Sequence, residues 1–231
     1  SRKYYEASDV FEPLLLTGKT SEMLDVLGAI PSKDGPVLAL TAHAPSVELL
    51  RPLDRELDLK VFRAISAAAY NRTKVKVLYQ SMSRPEHAEL VLSPHTLVFS
   101  GFRWHVRAFS DTHGEYRDFV LARMRGQHEL LDETGAPASE DKEWHTEVTV
   151  MVAPHPDLPP AQQSIIAEDF GMQDGRIEHN MRAALVPYFV RLMQVEPQRE
   201  HPDPKVQQIV LLNKAEIQPL LWDRQLSNGN A

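Results

Sequence analysis

Residues 102–109, with the sequence FRWHVRAF, form the stretch on which the fold of this 231-residue chain depends. Side chains of a β-strand point alternately to the two faces of a sheet. One face of this run is apolar and consists of Trp104, Val106 and Ala108. The opposite face carries cationic and aromatic side chains, namely Arg103, His105, Arg107 and Phe109. The run therefore predicts a strand with Trp104 and its apolar neighbours in the core and a polar surface opposite.

Four further β-rich runs lie close to this stretch, at residues 74–80, 89–93, 96–99 and 116–123. Pro94 and His95 separate the second run from the third. Ser100-Gly101 and the segment 111–114 are turn signals on either side of the central strand. Five short strands at roughly 10-residue spacing, with turns between them, predict a small, strongly bent antiparallel β-barrel.

A helix is predicted over residues 54–71, directly before the first strand. Its apolar positions recur at helical spacing, and they are Leu57, Val61, Ile65 and Ala68. Asp54 or Asp58 can cap the start, and Asn71 is a plausible end. We expect this helix to close one end of the barrel.

Several separated motifs occur here in the order found in a known family. They are Ala64-Ile65, Tyr79-Gln80-Ser81-Met82-Ser83, Pro94-His95-Thr96-Leu97, the run 104–108 and the run 117–123. This order resembles the WYL domain, an Sm/SH3-like barrel named for a Trp-Tyr-Leu triplet, over about residues 57–131. The triplet stands here as Trp104-His105-Val106, so two of its three letters differ. A Trp-His pair resembles the branch of defence-associated bacterial WYL repressors, which implies a role in phage defence.

The charge of the chain is unevenly distributed. Its formal net charge is −7, which argues against a surface that binds duplex DNA all over. Residues 60–125 contain 11 Lys/Arg against 5 Asp/Glu, a net of +6, so the rest of the chain carries −13. A basic barrel in an acidic body suits a local anionic ligand. The alternative is that these bases pair with the acidic flanks.

The composition is that of a globular protein, with 42% hydrophobic and 25% charged residues. Cysteine is absent, which excludes disulfides and thiolate metal sites and fits the cytoplasm. The sequence contains no apolar run of the roughly 20 residues that cross a bilayer and no signal peptide. It begins with Ser1 instead of Met, so we expect a fragment of a longer protein.

We expect mixed α+β architecture in four segments. Residues 1–53 are a proline-rich connector with a short helix at 21–27, ended by Gly28, and a strand at 37–41. Residues 54–131 form the WYL barrel, and residues 132–143 an acidic linker whose Glu140-Asp141 pair we expect in solvent. Residues 144–231 form an α+β domain with strands at 146–153, 176–185 and 207–213 and helices at 159–170, 186–195 and 217–222. We expect Asp157 to cap the first of these helices, Gly171 to supply its end, and Pro187 to lie at the start of the second.

The resemblance implies two roles for the segments outside the barrel. The C-terminal α+β domain resembles the extension that follows WYL domains and contributes to homodimer contacts. In WYL regulators a winged helix-turn-helix that binds DNA precedes the connector, and we expect that domain to lie outside this chain.

Arginines are the first candidates for a ligand site, because guanidinium groups recognise phosphate and carboxylate bidentately. The candidate ligand-binding residues are Tyr79, Ser81, Ser83, His95, His105, Arg107, Arg117 and Arg123. Most have a structural alternative: the arginines can close salt bridges at strand ends, Tyr79 can belong to the core before a polar turn, and His95 can be a surface residue. His105 has better support, because strand alternation places it beside Arg107 on the polar face. The family resemblance favours the ligand site.

The sequence offers little for catalysis or cofactors. It lacks a Gly-x-Ser-x-Gly elbow, a phosphate loop and a dinucleotide fingerprint. Its ten histidines have no metal-binding spacing. We therefore expect neither an enzyme, nor a metal site, nor a cofactor.

The sequence and the family resemblance are consistent with two functions. The first is the ligand-sensing and dimerising part of a WYL-type transcriptional regulator, in which an anionic nucleotide or single-stranded nucleic acid controls operator binding by a separate helix-turn-helix domain. The alternative is a constitutive module that binds single-stranded nucleic acid or another protein and does not switch.

Overall fold

The computed structural model describes residue 53 and residues 55–221. The chain divides into two units, Ser1–Pro52 and Leu53–Ala231, and all described residues belong to the second. The predicted helix at 21–27 with Gly28, the strand at 37–41 and the end of the last helix at Trp222 lie outside the described residues.

Helix α1 spans Leu59–Asn71 and begins five residues later than predicted. The Asp58 carboxylate accepts a hydrogen bond from the Lys60 backbone N–H at 2.9 Å, so this aspartate caps the helix. Arg72 follows in the left-handed conformation and ends it. Val61, Ile65 and Ala68 are buried on the helix face that packs over β1, β2 and β5.

Five strands follow, and they are β1 (Thr73–Tyr79), β2 (Ala88–Phe99), β3 (Trp104–Ser110), β4 (Glu115–Val120) and β5 (Met124–Thr134). All neighbours are antiparallel, in the order β4-β3-β2-β1-β5. The predicted barrel is not confirmed: the described sheet does not close, because β4 and β5 are edge strands that do not pair with each other. One 3-10 turn, Leu121–Arg123, carries the chain from one edge strand to the other.

Two strand predictions need correction. The runs at 89–93 and 96–99 are one strand, β2, because Pro94 and His95 lie in a register shift opposite β3 and do not end the strand. The last predicted strand ends at Val120, and β5 was missed. Gly126 has a φ of +74° and many β5 side chains are exposed, so the strand has little apolar alternation in its sequence.

The core of this unit lies between α1 and the sheet. Val106 and Ala108 are fully buried there, as the alternation predicts. The assignment of Trp104 to the core is wrong, because the side chain is 39% exposed. Its ring lies at the margin of the core, 6.0 Å from the Phe62 ring and 5.2 Å from the Phe99 ring.

The C-terminal part is a three-stranded antiparallel sheet with short helices. Its elements are α2 (Lys142–His145), β6 (Glu147–Pro154), α3 (Pro160–Asp169), β7 (Ile177–Arg182), α4 (Val186–Leu192), β8 (Ile209–Leu211) and α5 (Lys214–Ile217). The strand order is β7-β6-β8, and a second core packs against this sheet. Together the two sheets and their helices are the mixed α+β architecture predicted.

The six predicted C-terminal elements occur in the predicted order, but helix α2 was not predicted and several boundaries differ. The strand predicted at 176–185 ends at Arg182, and the rest of the predicted range forms the 3-10 helix Ala183–Leu185. Asp157 does not cap α3, since Pro159 precedes the helix without a side-chain cap. Pro187 lies in the first turn of α4, where its missing N–H costs nothing.

Candidate functional site

A cavity of about 830 Å³ opens between the five-stranded sheet and the C-terminal part. The sheet contributes side chains from β1, β3, β4 and the turn after β1. Helix α4 contributes Tyr188 and Arg191. Six arginines line the cavity, and they are Arg84, Arg103, Arg107, Arg117, Arg123 and Arg191. Among the described residues, only three carboxylates share the lining, so this part of the cavity wall has an excess of positive charge.

Arg107 lies at the floor of the cavity, 4% exposed and already paired. Its Nε and Nη2 donate to the two oxygens of Asp141 at 2.7 and 2.9 Å, and Nη2 also donates to Glu143 at 2.8 Å. Asp118, its cross-strand partner on β4, lies 3.5 Å away. Burial lowers the pKa of Arg107, but the hydrogen bonds and charges of these carboxylates outweigh it and raise the pKa. This guanidinium is fully engaged by the protein.

Asp141 is the centre of this network. The prediction that it lies in solvent is wrong, because it is 1% exposed. Besides Arg107, its carboxylate accepts the Trp144 backbone N–H at 3.2 Å, which caps α2. Burial raises its pKa and the Arg107 contacts lower it more, so the net pKa lies below the ordinary value.

Asp118 and Tyr188 connect the sheet to α4. The Tyr188 hydroxyl and the Asp118 carboxylate are hydrogen-bonded. Burial raises the pKa of Asp118 to about 6, although Arg107 opposes this shift. Burial, followed by the Asp118 charge, also raises the pKa of Tyr188.

His105 is 1% exposed and lies 4.7 Å from the Tyr188 ring, measured between ring centroids. Neither ring nitrogen has a hydrogen-bond partner among the described residues. Burial, followed by the charges of Arg103, Arg123 and Arg55, lowers the pKa of His105 to about 3. The imidazole is therefore neutral at physiological pH and adds no charge to the cavity.

The other two predicted arginines differ from each other. Arg117 on β4 pairs with Glu115, and both side chains are substantially exposed. Arg123 lies in the turn between β4 and β5 and has no carboxylate partner in the described part of the chain. Of the three predicted arginines, Arg123 therefore has the least compensated charge.

The polar residues at the end of β1 form one rim of the cavity. Ser81 and Ser83 face each other, with 3.1 Å between their hydroxyl oxygens, and the Ser81 hydroxyl accepts the Arg84 N–H at 2.8 Å. Tyr79 serves the core as well, because its ring packs against Phe119 and its hydroxyl accepts the Val120 N–H at 3.3 Å.

His95 is the one predicted site residue that does not line the cavity. Its Nε2 is 3.1 Å from Asp141 and its Nδ1 is 2.9 Å from the Thr96 hydroxyl. Burial lowers its pKa, and the hydrogen bond with Asp141 opposes that shift. His95 therefore supports the Arg107 network through their shared partner, Asp141.

The sequence prediction omitted several residues that line the cavity. Arg103 shares the polar face of the central strand, so strand alternation alone could have included it. Asp118 is the cross-strand partner of Arg107, which correct pairing of the last two strands would have revealed. Tyr188 and Arg191 reach the cavity only through tertiary packing of α4.

The described residues support neither a metal site nor a membrane-spanning helix. No group of three His, Asp or Glu side chains there could hold a metal ion. No helix among them is long and apolar enough to cross a membrane.

Comparison with known proteins identifies both parts of the chain. Residues 60–128 match the WYL domain, and residues 147–217 match the BrxR transcriptional regulator C-terminal dimerization domain. The DNA-binding transcriptional repressor CapW of Escherichia coli (strain KTE188) is 34% identical over 227 residues, covering 96% of this chain and 74% of that protein. The chain belongs to the CapW family of WYL-domain transcriptional repressors. The CapW repressor of Stenotrophomonas maltophilia is 30% identical over 229 residues, covering 99% of this chain and 76% of that protein.

CapW-family membership confirms the predicted WYL resemblance and the prediction that the chain is not an enzyme. It is a WYL-type transcriptional regulator with a C-terminal dimerization domain. The cavity lies between the two matched regions, and Tyr188 and Arg191 on its wall belong to the second. A solved structure of the proteasome accessory factor PafBC of Arthrobacter aurescens has 18% identity and a TM-score of 0.34, covering 79% of this chain and 29% of that one.

Proposed function

We propose that this chain is the effector-sensing and homodimerising part of a repressor in bacterial phage defence. An anionic nucleotide or single-stranded nucleic acid would bind in the cavity, and operator DNA would be bound through a helix-turn-helix domain outside this chain. The observation that carries the proposal is the excess of arginine in a cavity shared by the WYL region and the dimerization domain.

The electrostatics support an anion as the effector. Arg107 and Arg117 are paired with acids, whereas Arg123 and Arg103 have no carboxylate partner among the described residues. The cavity volume of about 830 Å³ also falls within the range of ordinary ligand pockets. The predicted residues Tyr79, Ser81, Ser83, His105 and Arg123 belong to the proposed site, and His95 acts through Asp141.

Helix α4 lines the cavity and belongs to the dimerization domain, so an effector in the cavity can act on the dimer through it. A ligand shifts a conformational equilibrium only if it binds one state more tightly than the other. Tyr188 reaches from the dimerization domain to Asp118 of the sheet, so any ligand that fills the cavity meets both. An effector that favours one position of α4 would favour one arrangement of the dimer.

Binding of short single-stranded oligonucleotides, titrated with salt, tests the site. Each arginine that neutralises a phosphate adds about 0.7 to the slope of log affinity against log salt for a single strand. We expect Arg123→Ala to weaken binding and reduce that slope. The control is Lys60→Ala, which removes an exposed cation of α1 away from the cavity. If both variants bind like the wild type, the cavity is not the site.

Operator binding tests the switch. We expect the oligonucleotide to release the full-length repressor from its operator, and Arg123→Ala to require a higher oligonucleotide concentration. Oligonucleotide binding without any change in operator affinity would instead support the constitutive module.

A further inference from the structure

Unpartnered buried polar atoms are concentrated in one part of the cavity. Four buried side-chain nitrogen or oxygen atoms lack a hydrogen-bond partner in the part of the chain that the structure describes. Three of them line the cavity: Arg103 Nε and both ring nitrogens of His105. Since buried polar groups are nearly always hydrogen-bonded, these three atoms lack a polar partner at the wall of the cavity.

Most of the charged side chains that act on Arg103 are arginines. Its guanidinium carbon lies 5.3 Å from the centroid of the Phe102 ring, and that of Arg55 lies 6.0 Å from the same ring. Burial lowers the pKa of Arg103, and Arg123, Arg55 and Arg191 lower it further, with Tyr188 opposing. Arg191 is 4.0 Å from Glu196 and is thus partly compensated. Arg103 and Arg123 have no such carboxylate within the described ranges.

The arginines around this position favour a ligand group with more than one negative charge. A backbone phosphodiester carries a single negative charge, whereas a phosphate monoester carries close to two at neutral pH. Converging guanidinium groups favour the more highly charged anion. His105 is neutral and can donate one N–H to a phosphate oxygen.

We propose that Arg103, Arg123 and His105 form a subsite for a terminal phosphate monoester of a nucleotide or oligonucleotide. This inference rests on the proposed function and makes it more specific. The effector would be recognised by its phosphorylated end, and not only through the charge of its backbone.

The test compares two hexathymidylates that differ only in a 5′-phosphate or a 5′-hydroxyl, each labelled at the 3′ end. We expect fluorescence anisotropy to show about tenfold or tighter binding of the phosphorylated probe at pH 7.5. The preference should decrease towards pH 5.5, because the second ionisation of the monoester has a pKa of about 6. A 3′-phosphorylated probe labelled at the 5′ end shows whether either end is accepted.

Two substitutions connect that preference to the subsite. Arg103→Ala and Arg123→Ala should each reduce the preference to about twofold or less, while Arg103→Lys should retain part of it. The control is Arg125→Ala, which removes an exposed arginine of β5 that does not line the cavity. Because Arg123 lies in a surface turn, its variant also tests the subsite if Arg103→Ala does not fold.

Two results would overturn the inference, and they are distinguishable. If both probes bind equally and Arg103→Ala weakens them by the same factor, terminal recognition is wrong and the anionic effector site stands. If neither probe binds nor releases the operator, the proposed function fails together with the subsite.

Discussion

Replacing Asp141 by alanine is the most direct test of the network that supports the cavity. The wild-type carboxylate is buried and accepts four hydrogen bonds, two from Arg107, one from His95 Nε2 and one from the Trp144 N–H. The substitution leaves the Arg107 guanidinium, which is 4% exposed in the wild type, with Glu143 and Asp118 as its only acids among the described residues. The variant therefore retains a buried charge and loses its principal partner.

The expected loss can be worked out from these contacts. Removing one member of a buried ion pair costs about 3–5 kcal/mol, because the remaining charge is desolvated. Losing the cap of α2 adds about 1 kcal/mol, while the Glu143 contact retains part of the pairing. We expect Asp141→Ala to lower the free energy of unfolding by about 4 kcal/mol, out of the 5–15 kcal/mol typical of a domain.

Urea denaturation followed by far-ultraviolet circular dichroism measures this change. The matched control is Glu115→Ala, which breaks the exposed pair with Arg117 and should cost less than about 1 kcal/mol. The double variant Asp141→Leu with Arg107→Met removes both charges and should be more stable than Asp141→Ala.

The outcome that would refute this reasoning is a loss below about 1 kcal/mol for Asp141→Ala, equal to the control. A double variant whose loss is the sum of its two single losses would also refute it, because contacting charges must couple. Either result would mean that Arg107 is solvated or paired differently, and is available to bind an anion.

Two further substitutions address the buried groups of the cavity. His105→Leu removes two unpartnered ring nitrogens, so we expect the free energy of unfolding to rise by about 1 kcal/mol. We also expect weaker oligonucleotide binding. A less stable variant would show that the imidazole is hydrogen-bonded in solution. Asp118 has a folded pKa of about 6, above its ordinary 3.8, so its stability contribution is present below pH 3.8 and is lost as the pH rises through 6. Linkage from these two values gives a loss on the order of 1 kcal/mol between pH 5 and 7.5. Asp118→Asn should abolish this loss in urea titrations at both pH values, whereas an unchanged pH profile would contradict the raised pKa.

The sequence predicted most of the fold where local pattern and core burial agree. Val61, Ile65 and Ala68 recur at helical spacing, and Val106 and Ala108 alternate, and all are buried. The failures have physical causes. Pro94 has no N–H to donate, yet a bulge accommodates it inside a continuous strand. Strand β5 was missed because it is mostly exposed and so lacks apolar alternation. Trp104 was wrongly assigned to the core because alternation predicts the face of a side chain but not its distance from the margin of the sheet.

The sequence predicts most of the residues that line the candidate site. It does not predict which of their charges are paired with acids. Alternation correctly placed His105 and Arg107 on one face. Whether an arginine is available for a ligand depends on the carboxylates that approach it in three dimensions. Asp141 is 34 residues from Arg107 and lies in a segment whose composition is that of a solvated loop. Local sequence contains no information about that pairing.

Arg103 and Arg107 have different charged partners although they lie on one face of one polypeptide run. Arg107 is opposite Asp118 in the β3–β4 ladder and beneath the start of α2, so acids from two elements reach it. Arg103 precedes the ladder, beyond its last paired residue Trp104, and its charged neighbours come from turns and helix ends that carry arginines. The first guanidinium stabilises the fold, and the second retains the unsatisfied charge that a ligand requires. A displacement of four residues along the run therefore separates a structural arginine from a candidate binding arginine.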